Sequence, residues 1–153
     1  MPPDTLVTVD WGAQLHGYCS DCTRTLATGG AVPDELRRAY EVCHEAQRSA
    51  VEGIRPGMTG GQADALARRG IEAAGLGAAF GHGLGHGVGL AVHEAPRLAA
   101  DSVDVLEPGH VITIEPGIYL PGIGGVRIED LAVVRDDGVE LLTSFPRELS
   151  LVR

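Results

Sequence analysis

Three histidines, His82, His86 and His93, lie within a glycine-rich stretch at residues 80–94. Glycine occupies every second position from 81 to 89, which lets the backbone pass close to a phosphate, a metal ion or a neighbouring strand. The glycine spacing does not fit the G-x-x-x-x-G-K-[ST] or G-x-G-x-x-G patterns of phosphate-binding loops. Because neutral imidazole is a common metal ligand and proton carrier, the histidines indicate metal or acid–base chemistry.

Four carboxylates, Asp10, Asp21, Glu115 and Glu129, lie in apolar stretches where an isolated acid is unexpected. A buried carboxylate has to be paired, protonated or bound to a metal. A simpler interpretation makes Asp10 a turn residue and lets Asp21 face solvent or pair with Arg24. Together with the histidines, however, the four acids match the ligand set of a two-metal centre, in which carboxylates bridge ions about 3.5 to 4 Å apart.

The donor types limit the metal and the reaction. Oxygen and nitrogen donors without a thiolate suit manganese, cobalt, iron or zinc. A pair of such ions lowers the pKa of a shared water and clamps a carbonyl group of the substrate. The residues therefore predict metal-assisted hydrolysis.

The acids are carried by predicted β-hairpins. Residues 6–11 and 17–27 form the first hairpin, and strands at 111–115 and 126–134 flank a Pro/Gly-rich reversal. Each half thus carries two acids, which indicates two similar halves facing one another across a shared site. A last hairpin turns at residues 136–138.

Two helices are predicted between the first hairpin and the histidines. Apolar residues spaced three and four apart indicate a helix from Pro33 to about residue 54. Thr59, with Gln62 three residues later, is a capping-box start for a second helix that runs through about Ala74. Gly75 closes this second helix shortly before the histidine-bearing stretch.

Charge and hydropathy exclude several classes of partner. The net charge of −9 and the pI near 5.0 argue against nucleic acids and anionic membrane surfaces as partners. Since no apolar run approaches about 20 residues and no cationic start precedes an apolar segment, we expect neither a membrane span nor a signal peptide. The cytoplasm is the expected compartment.

The cysteines do not predict a site of their own. Cys19, Cys22 and Cys43 make an odd number, which does not fit a disulfide framework. The C-x-x-C that starts at Cys19 has no second pair to complete a zinc site and lies in a β-like run. We interpret all three as buried small residues in a reduced compartment.

Four segments resemble the signature blocks of the pita-bread metallopeptidases, the family of aminopeptidase P, proline dipeptidase, methionine aminopeptidase and creatinase. They are VTVDWGAQLHGYCSDCTRT, FGHGLGHGVGLAVHEAP, ITIEPGIYL and GGVRIEDLAVV, in the family's order and spacing. The resemblance implies an α+β pita-bread fold, with a curved antiparallel sheet and helices on its outer face. The family's catalytic domain has several dozen residues before its first ligand, so residues 1–153 are expected to be a single domain that is incomplete at its N-terminus.

The resemblance also implies a dinuclear metal centre, with manganese as the first choice and cobalt, zinc or iron as alternatives. Asp21 and Glu129 would bridge the two divalent ions, and Glu115 would act as general base toward the bridging water. The full set of implied ligands is Asp10, Asp21, His86, Glu115 and Glu129.

Further side chains match substrate-site positions of the family. His82 and His93 would hydrogen-bond the peptide or shuttle protons, and Arg127 with Tyr119 would orient the ligands. Arg97 is expected to be exposed to solvent rather than to contact substrate.

The branch of the family follows from the same blocks. A complete ligand set argues against creatinase, and R-I-E-D in place of Q-F-E-H points away from methionine aminopeptidase and toward the Xaa-Pro peptidases. We therefore expect hydrolysis of a peptide with proline after the scissile bond, by either a dipeptidase or an aminopeptidase. A non-catalytic peptide- or protein-binding module and an inactive truncated fragment are the alternatives, and a homo-oligomer is a candidate assembly.

Overall fold

The computed structural model describes residues 3–152. Strand β1 (Leu6–Trp11) leads through a small hairpin of β2 (Gln14–Leu15) and β3 (Tyr18–Cys19) into β4 (Cys22–Ala27). Strands β1 and β4 pair antiparallel along their whole length. The predicted pairing of the first hairpin is therefore confirmed, although its second strand is interrupted.

The prediction of one continuous strand over residues 17–27 is wrong at Ser20 and Asp21. Gly17 adopts a φ of 90°, a left-handed conformation that closes the small hairpin. The Ser20 N–H then donates to the Ala13 carbonyl at 2.8 Å, across the base of that hairpin. Asp21 consequently lies at the junction of two strands, directly before β4.

Both predicted helices are confirmed, as α1 (Asp34–Gly53) and α2 (Gly60–Ala73). The capping box of α2 forms with both of its hydrogen bonds. The Gln62 N–H donates to Thr59 Oγ1 at 3.2 Å, and the Thr59 N–H donates to Gln62 Oε1 at 2.9 Å. These bonds satisfy two otherwise unpaired amides and fix the residue at which α2 begins. A short 3₁₀ turn at Gly77–Ala79 follows.

The second half of the chain contributes the remaining strands. They are β5 (Gly85–Gly87), β6 (Glu94–Leu98), β7 (Val111–Ile114), β8 (Gly117–Leu120), β9 (Gly124–Arg127), β10 (Asp130–Arg135) and β11 (Gly138–Leu141). One antiparallel sheet has the strand order β11-β10-β7-β5-β6, and β8 pairs with β9 as a separate hairpin. The predicted reversal after β7 and the last hairpin, β10 with β11, are both confirmed.

The prediction of one strand over residues 126–134 is wrong at Ile128 and Glu129, which separate β9 from β10. The Ile128 N–H donates to the Pro116 carbonyl at 3.4 Å, and the Glu129 N–H donates to the Thr23 carbonyl at 3.1 Å. Glu129 and Thr23 thereby form an isolated bridge. The interruption joins the first hairpin to the larger sheet.

The glycine-rich stretch owes part of its composition to neighbouring strands. A Cβ on Gly85 would lie 2.1 Å from the Thr113 carbonyl oxygen, and one on Gly87 would lie 2.1 Å from the Ala95 carbonyl oxygen. Since no side chain fits at that distance, β5 can lie between β6 and β7 only with glycine at these positions. The close neighbour of this backbone is therefore another strand.

The helices and the sheet share one core. Helix α1 packs against α2 and against β7, β8, β9 and β11. Ala39, Cys43 and Ala50 of α1 are fully buried against sheet residues such as Ile112 and Ile114. Small side chains on the inner face of α1 let the helix lie close to the strands that carry the acids. Among residues 3–152, neither helix has the length and apolarity needed to cross a bilayer.

The three cysteines are free thiols. Burial raises the pKa of Cys22 to about 11 and that of Cys43 to about 12, so both thiols stay protonated near neutral pH. The expectation that all three are buried is wrong for Cys19. This residue is only partly covered, because it belongs to the small hairpin of β2 and β3 at the surface.

Candidate metal centre

The five implied metal ligands lie on or beside strands that meet at one place. The side chains of three overlapping groups place one ligand atom each within 4.8 Å of one another. These groups are Asp10, Asp21 and Glu129; His86, Glu115 and Glu129; and Asp21, His86 and His93. The fold therefore brings together residues from both halves of the chain, as the two acid-bearing hairpins predicted.

His86 presents one ring nitrogen to the acids. Its Nδ1 lies 3.0 Å from the Gly87 carbonyl, which assigns the proton to Nδ1 and leaves the lone pair on Nε2. Nε2 lies 3.1 Å from Glu115 Oε1 and 3.8 Å from Asp21 Oδ2. Burial opposes protonation, but the contacts with Glu115 raise the pKa of His86 overall. A lone pair that faces two carboxylates is stabilised by a proton or a metal ion between them.

Glu129 is the most enclosed of the acids, with only 2% of the residue exposed. Its Oε2 accepts a hydrogen bond of 2.5 Å from the Thr23 hydroxyl, whereas its buried Oε1 has no hydrogen-bond partner among residues 3–152. Burial, reinforced by the charges of Glu115 and Asp21, raises the pKa of Glu129 to about 8. A buried carboxylate oxygen without a partner is a position that a cation would fill.

Neighbouring groups also shift the pKa values of Asp21 and Glu115. Burial and the charge of Asp10 raise the pKa of Asp21. Burial would likewise raise the pKa of Glu115, but hydrogen bonds with His86 and Thr113 outweigh it and hold that pKa below its ordinary value. Clustered carboxylates of this kind are stabilised by added positive charge. The oxygen and nitrogen donors present therefore fit divalent metal ions.

A chain of hydrogen bonds lies beside the acids. His82 Nδ1 is 2.7 Å from the Gly83 carbonyl, and His82 Nε2 is 3.0 Å from the Tyr119 hydroxyl. That hydroxyl also accepts a hydrogen bond of 3.2 Å from Arg127 Nη1, and Arg127 Nη2 donates to the Asp10 carboxylate. Arg127 thus donates to the Tyr119 oxygen, and the Tyr119 hydroxyl donates to Nε2 of His82. This chain connects an expected substrate-contacting histidine with an expected metal ligand.

The site opens into a cleft of about 460 Å³, a size within the range of about 300–1,000 Å³ typical of small-molecule sites. His93 lies on the cleft wall, with its ring centroid 4.3 Å from that of His86. Other side chains that line the cleft are Asp10, His82, His86, Arg97, Glu115, Tyr119 and Arg127. The expected catalytic residues Glu115, His82, His93 and Arg127 thus face one common space.

The expected exposure of Arg97 is confirmed, although the sequence did not indicate its place beside the cleft. Its side chain is 58% exposed, yet it lines the cleft. The guanidinium is held at 2.8 Å by Asp101, four residues later. The backbone N–H of Arg97 donates to Asp104 at 2.8 Å, which anchors β6 at this point. The cleft therefore has a guanidinium, paired with Asp101, at its edge.

Two threonines that support the acids were not among the predicted site residues. The Thr23 hydroxyl donates to Glu129, and the Thr113 hydroxyl donates to Glu115 Oε1 at 2.9 Å. Thr23 follows Asp21 by two residues, and Thr113 precedes Glu115 by two. Because side chains two residues apart share a face of a strand, this spacing could have found Thr113. Thr23 supports an acid 106 residues away, which no local spacing reveals.

Arg24 does not pair with Asp21, which was the simpler interpretation of that acid. Its Nη2 instead lies 2.6 Å from Asp130 Oδ1, and both side chains are buried. Arg24 Nη1 also donates to the Thr23 carbonyl at 2.8 Å. The ion pair ties β4 to β10 behind the cluster and leaves the Asp21 carboxylate facing His86.

Known structures share this fold. The Xaa-Pro dipeptidase from Bacillus anthracis matches with a TM-score of 0.94 and 53% sequence identity, over 96% of this chain and 41% of that chain. The prolidase from Pyrococcus horikoshii matches with a TM-score of 0.91 and 49% identity, over 94% of this chain and 41% of that chain. The predicted pita-bread fold of helices and antiparallel strands is confirmed by these matches.

Sequence comparison leads to the same group of proteins. An Xaa-Pro dipeptidase from Pyrococcus furiosus is 50% identical over 145 residues, which are 94% of this chain and 41% of that relative. The predicted resemblance to the Xaa-Pro peptidases is thus confirmed, and the chain spans about 41% of the length of this curated relative. The model of metallopeptidase family M24 matches residues 1–136. The chain therefore belongs to metallopeptidase family M24.

Proposed function

We propose that this chain carries the metal centre of a peptidase that hydrolyses the bond preceding proline, as an Xaa-Pro dipeptidase or aminopeptidase. The proposal rests on the convergence of four carboxylates and His86 beside an open cleft, and on the buried Oε1 of Glu129, which has no hydrogen-bond partner among residues 3–152. The name of the relative from Pyrococcus furiosus, an Xaa-Pro dipeptidase at 50% identity, supports the substrate class.

Two divalent metal ions are the proposed cofactor, with manganese as the first choice and cobalt, zinc or iron as alternatives. Asp21 and Glu129 are the proposed bridging residues. When bound, the ions supply Lewis acidity, which lowers the pKa of water and polarises a carbonyl group. The residues proposed to hold them are Asp10, Asp21, His86, Glu115 and Glu129.

Glu115 is the proposed general base. Hydrogen bonds with His86 and Thr113 keep the pKa of Glu115 low, so its carboxylate is ionised at neutral pH and able to accept a proton. His82 and His93 line the same cleft, where they are proposed to hydrogen-bond the peptide. Arg127 holds Asp10 and the Tyr119 hydroxyl, and it is thereby proposed to orient a ligand and His82 together.

The chemistry of the substrate sets a demand on the cleft. The nitrogen of an Xaa-Pro bond carries no hydrogen, and proline fixes its φ. Recognition therefore has to use the neighbouring carbonyl groups and the ends of the peptide. A dipeptide ends in a carboxylate directly after proline, and Arg97 offers a cation at the cleft wall.

Arg97→Ala is expected to raise KM for an Xaa-Pro dipeptide up to about fivefold, because an ion pair at a side chain that is 58% exposed contributes about 0.2–1 kcal/mol. The effect on kcat should be smaller, since the carboxylate does not change during the reaction. Steady-state kinetics on a dipeptide and on its C-terminal amide would test this. An equal change in KM for both substrates would show that Arg97 does not bind the carboxylate.

Metal content and hydrolysis, measured on the same preparation, test the proposed function. Chelation should remove the ions and the activity, and added manganese should restore about two ions per chain together with cleavage of an Xaa-Pro substrate. An Xaa-Ala substrate of the same length serves as the control for the proline requirement. Elemental analysis supplies the metal count.

The other outcomes of this test separate the alternatives. Two bound ions without cleavage would favour a peptide- or protein-binding module or an inactive fragment. Cleavage that survives complete removal of metal would contradict the proposed centre. A chain that binds no divalent ion would contradict it as well.

A further inference from the structure

A partly buried ion pair on α2 lies behind the cleft. Asp64 is 1% exposed, and Arg68 grips it with two hydrogen bonds, from Nε to Oδ2 at 2.5 Å and from Nη2 to Oδ1 at 2.9 Å. The two residues are one helical turn apart, which places their side chains on the same face of α2. The carboxylate thus fixes the plane of the guanidinium.

The fixed guanidinium holds the loop that precedes β5. Arg68 Nη1 donates to the Phe80 carbonyl at 3.2 Å, and Nη2 donates to the His82 carbonyl at 2.8 Å. The guanidinium carbon also lies 4.2 Å from the centroid of the Phe80 ring. Asp64 Oδ1 accepts the Leu84 N–H at 3.0 Å, so the pair grips the backbone on both sides of His82.

Within residues 80–84, the segment held by these hydrogen bonds, His82 is the one side chain that lines the cleft. The Phe80 ring meets the His82 ring edge to face at 5.2 Å between centroids. With its backbone and one ring face held, the imidazole can place Nε2 against the Tyr119 hydroxyl. Arg68 itself does not line the cleft.

We propose that Arg68, oriented by Asp64, is a positioning residue that aims the His82 imidazole into the cleft. This inference rests on the proposed peptidase function, in which His82 contacts the peptide. The planar fork of arginine can hold two carbonyl groups and a carboxylate at once, whereas a lysine ammonium is a single point of charge. The exchange of arginine for lysine therefore separates the role of the fork from that of the charge.

Arg68→Lys is the variant that tests the proposal, because it keeps a positive charge beside buried Asp64 and so protects the fold. We expect kcat for an Xaa-Pro substrate to fall about tenfold, as is usual for residues that orient a site from behind, with KM and metal content changed less than about twofold. Arg69→Lys, at the exposed neighbouring position on α2, is the matched control. A kcat equal to that of the control would overturn the proposal.

A double-mutant cycle shows whether Arg68 acts through His82. In a His82→Ala background, Arg68→Lys should cause no further loss of kcat, since the side chain that it positions is gone. Additive losses would mean that Arg68 acts on the fold in general, and the proposal would be wrong.

The ring signals of His82 in NMR spectra give a readout that does not depend on activity. They can be assigned by their disappearance in His82→Gln, and they should shift in Arg68→Lys but not in Arg69→Lys. Unchanged His82 signals in Arg68→Lys would overturn the proposal. If the unmodified chain cleaves no Xaa-Pro bond, the proposed function fails, and the ring signals alone decide whether Arg68 positions His82.

Discussion

Glu115→Gln is expected to lower kcat for Xaa-Pro hydrolysis by about 10²–10⁴-fold, the usual contribution of a positioned general base. Glutamine keeps the size of the side chain and an oxygen that can accept a hydrogen bond from the Thr113 hydroxyl. It cannot, however, take up a proton as a general base does. The free energy of unfolding should change less than the free energy of activation, because Glu115 lines the cleft and glutamine can keep the contact with Thr113. Steady-state kinetics at saturating manganese would measure the loss.

Metal content has to be followed in the same Glu115→Gln samples, since Glu115 is also a proposed ligand. Rates compared only between samples with equal bound metal separate the loss of the base from the loss of an ion. Glu140→Gln, an exposed acid paired with Arg135, is the matched control and should keep full activity. Near-normal kcat in fully metal-loaded Glu115→Gln would refute the role of Glu115 as base.

The acids could be recognised from the sequence because a charge in an apolar strand is unfavourable, and a few neighbouring residues suffice to show such a strand. Glu115 and Glu129 are acids of this kind, and each is unfavourable there unless something compensates its charge. The two helices were predictable for the same reason. Apolar spacing sets the inner face of α1, and Thr59 with Gln62 fixes the start of α2 without help from distant residues.

The interruptions at Asp21 and Glu129 could not be read from local pattern. The break before β4 depends on the hydrogen bond between Ser20 and Ala13, and the break before β10 depends on the bridge between Glu129 and Thr23. The second of these pairings joins residues 106 apart in the sequence and is decided by the whole sheet. The place of Arg97 beside the cleft could not be read locally either: its expected exposure is confirmed, but only the folded chain brings the cleft next to it.

Glu129→Gln is expected to change metal binding and metal-free stability in opposite directions. Metal affinity should fall at least about 100-fold, because loss of residues that merely support ligands already costs 10–100-fold. The melting temperature of the metal-free chain at pH 8 should instead rise by about 3 °C or more, which corresponds to ~1 kcal/mol for a domain of this size. The gain follows from placing a neutral amide where a buried carboxylate oxygen has no hydrogen-bond partner among residues 3–152.

The direction of this effect depends on pH through the raised pKa of Glu129. Between its ordinary pKa of 4.5 and about 8, the folded metal-free chain keeps a proton that the unfolded chain has lost. The free energy of unfolding therefore falls as the pH rises through that window. The raised pKa values of Asp21 and His86 act in the same direction, so Glu129→Gln should reduce the decline without abolishing it.

Thermal melts of the metal-free chain from pH 5 to pH 8 would measure this decline, with Glu107→Gln as a control at an exposed acid. Saturating manganese should reverse the slope in the unmodified chain, since an ion binds the deprotonated carboxylates and so stabilises the folded state more at higher pH. In Glu129→Gln that reversal should be lost together with the tight metal binding. Equal pH slopes in the metal-free unmodified chain and in Glu129→Gln would mean that the Glu129 carboxylate is already compensated within the protein, which would remove the main physical reason for placing a cation beside it.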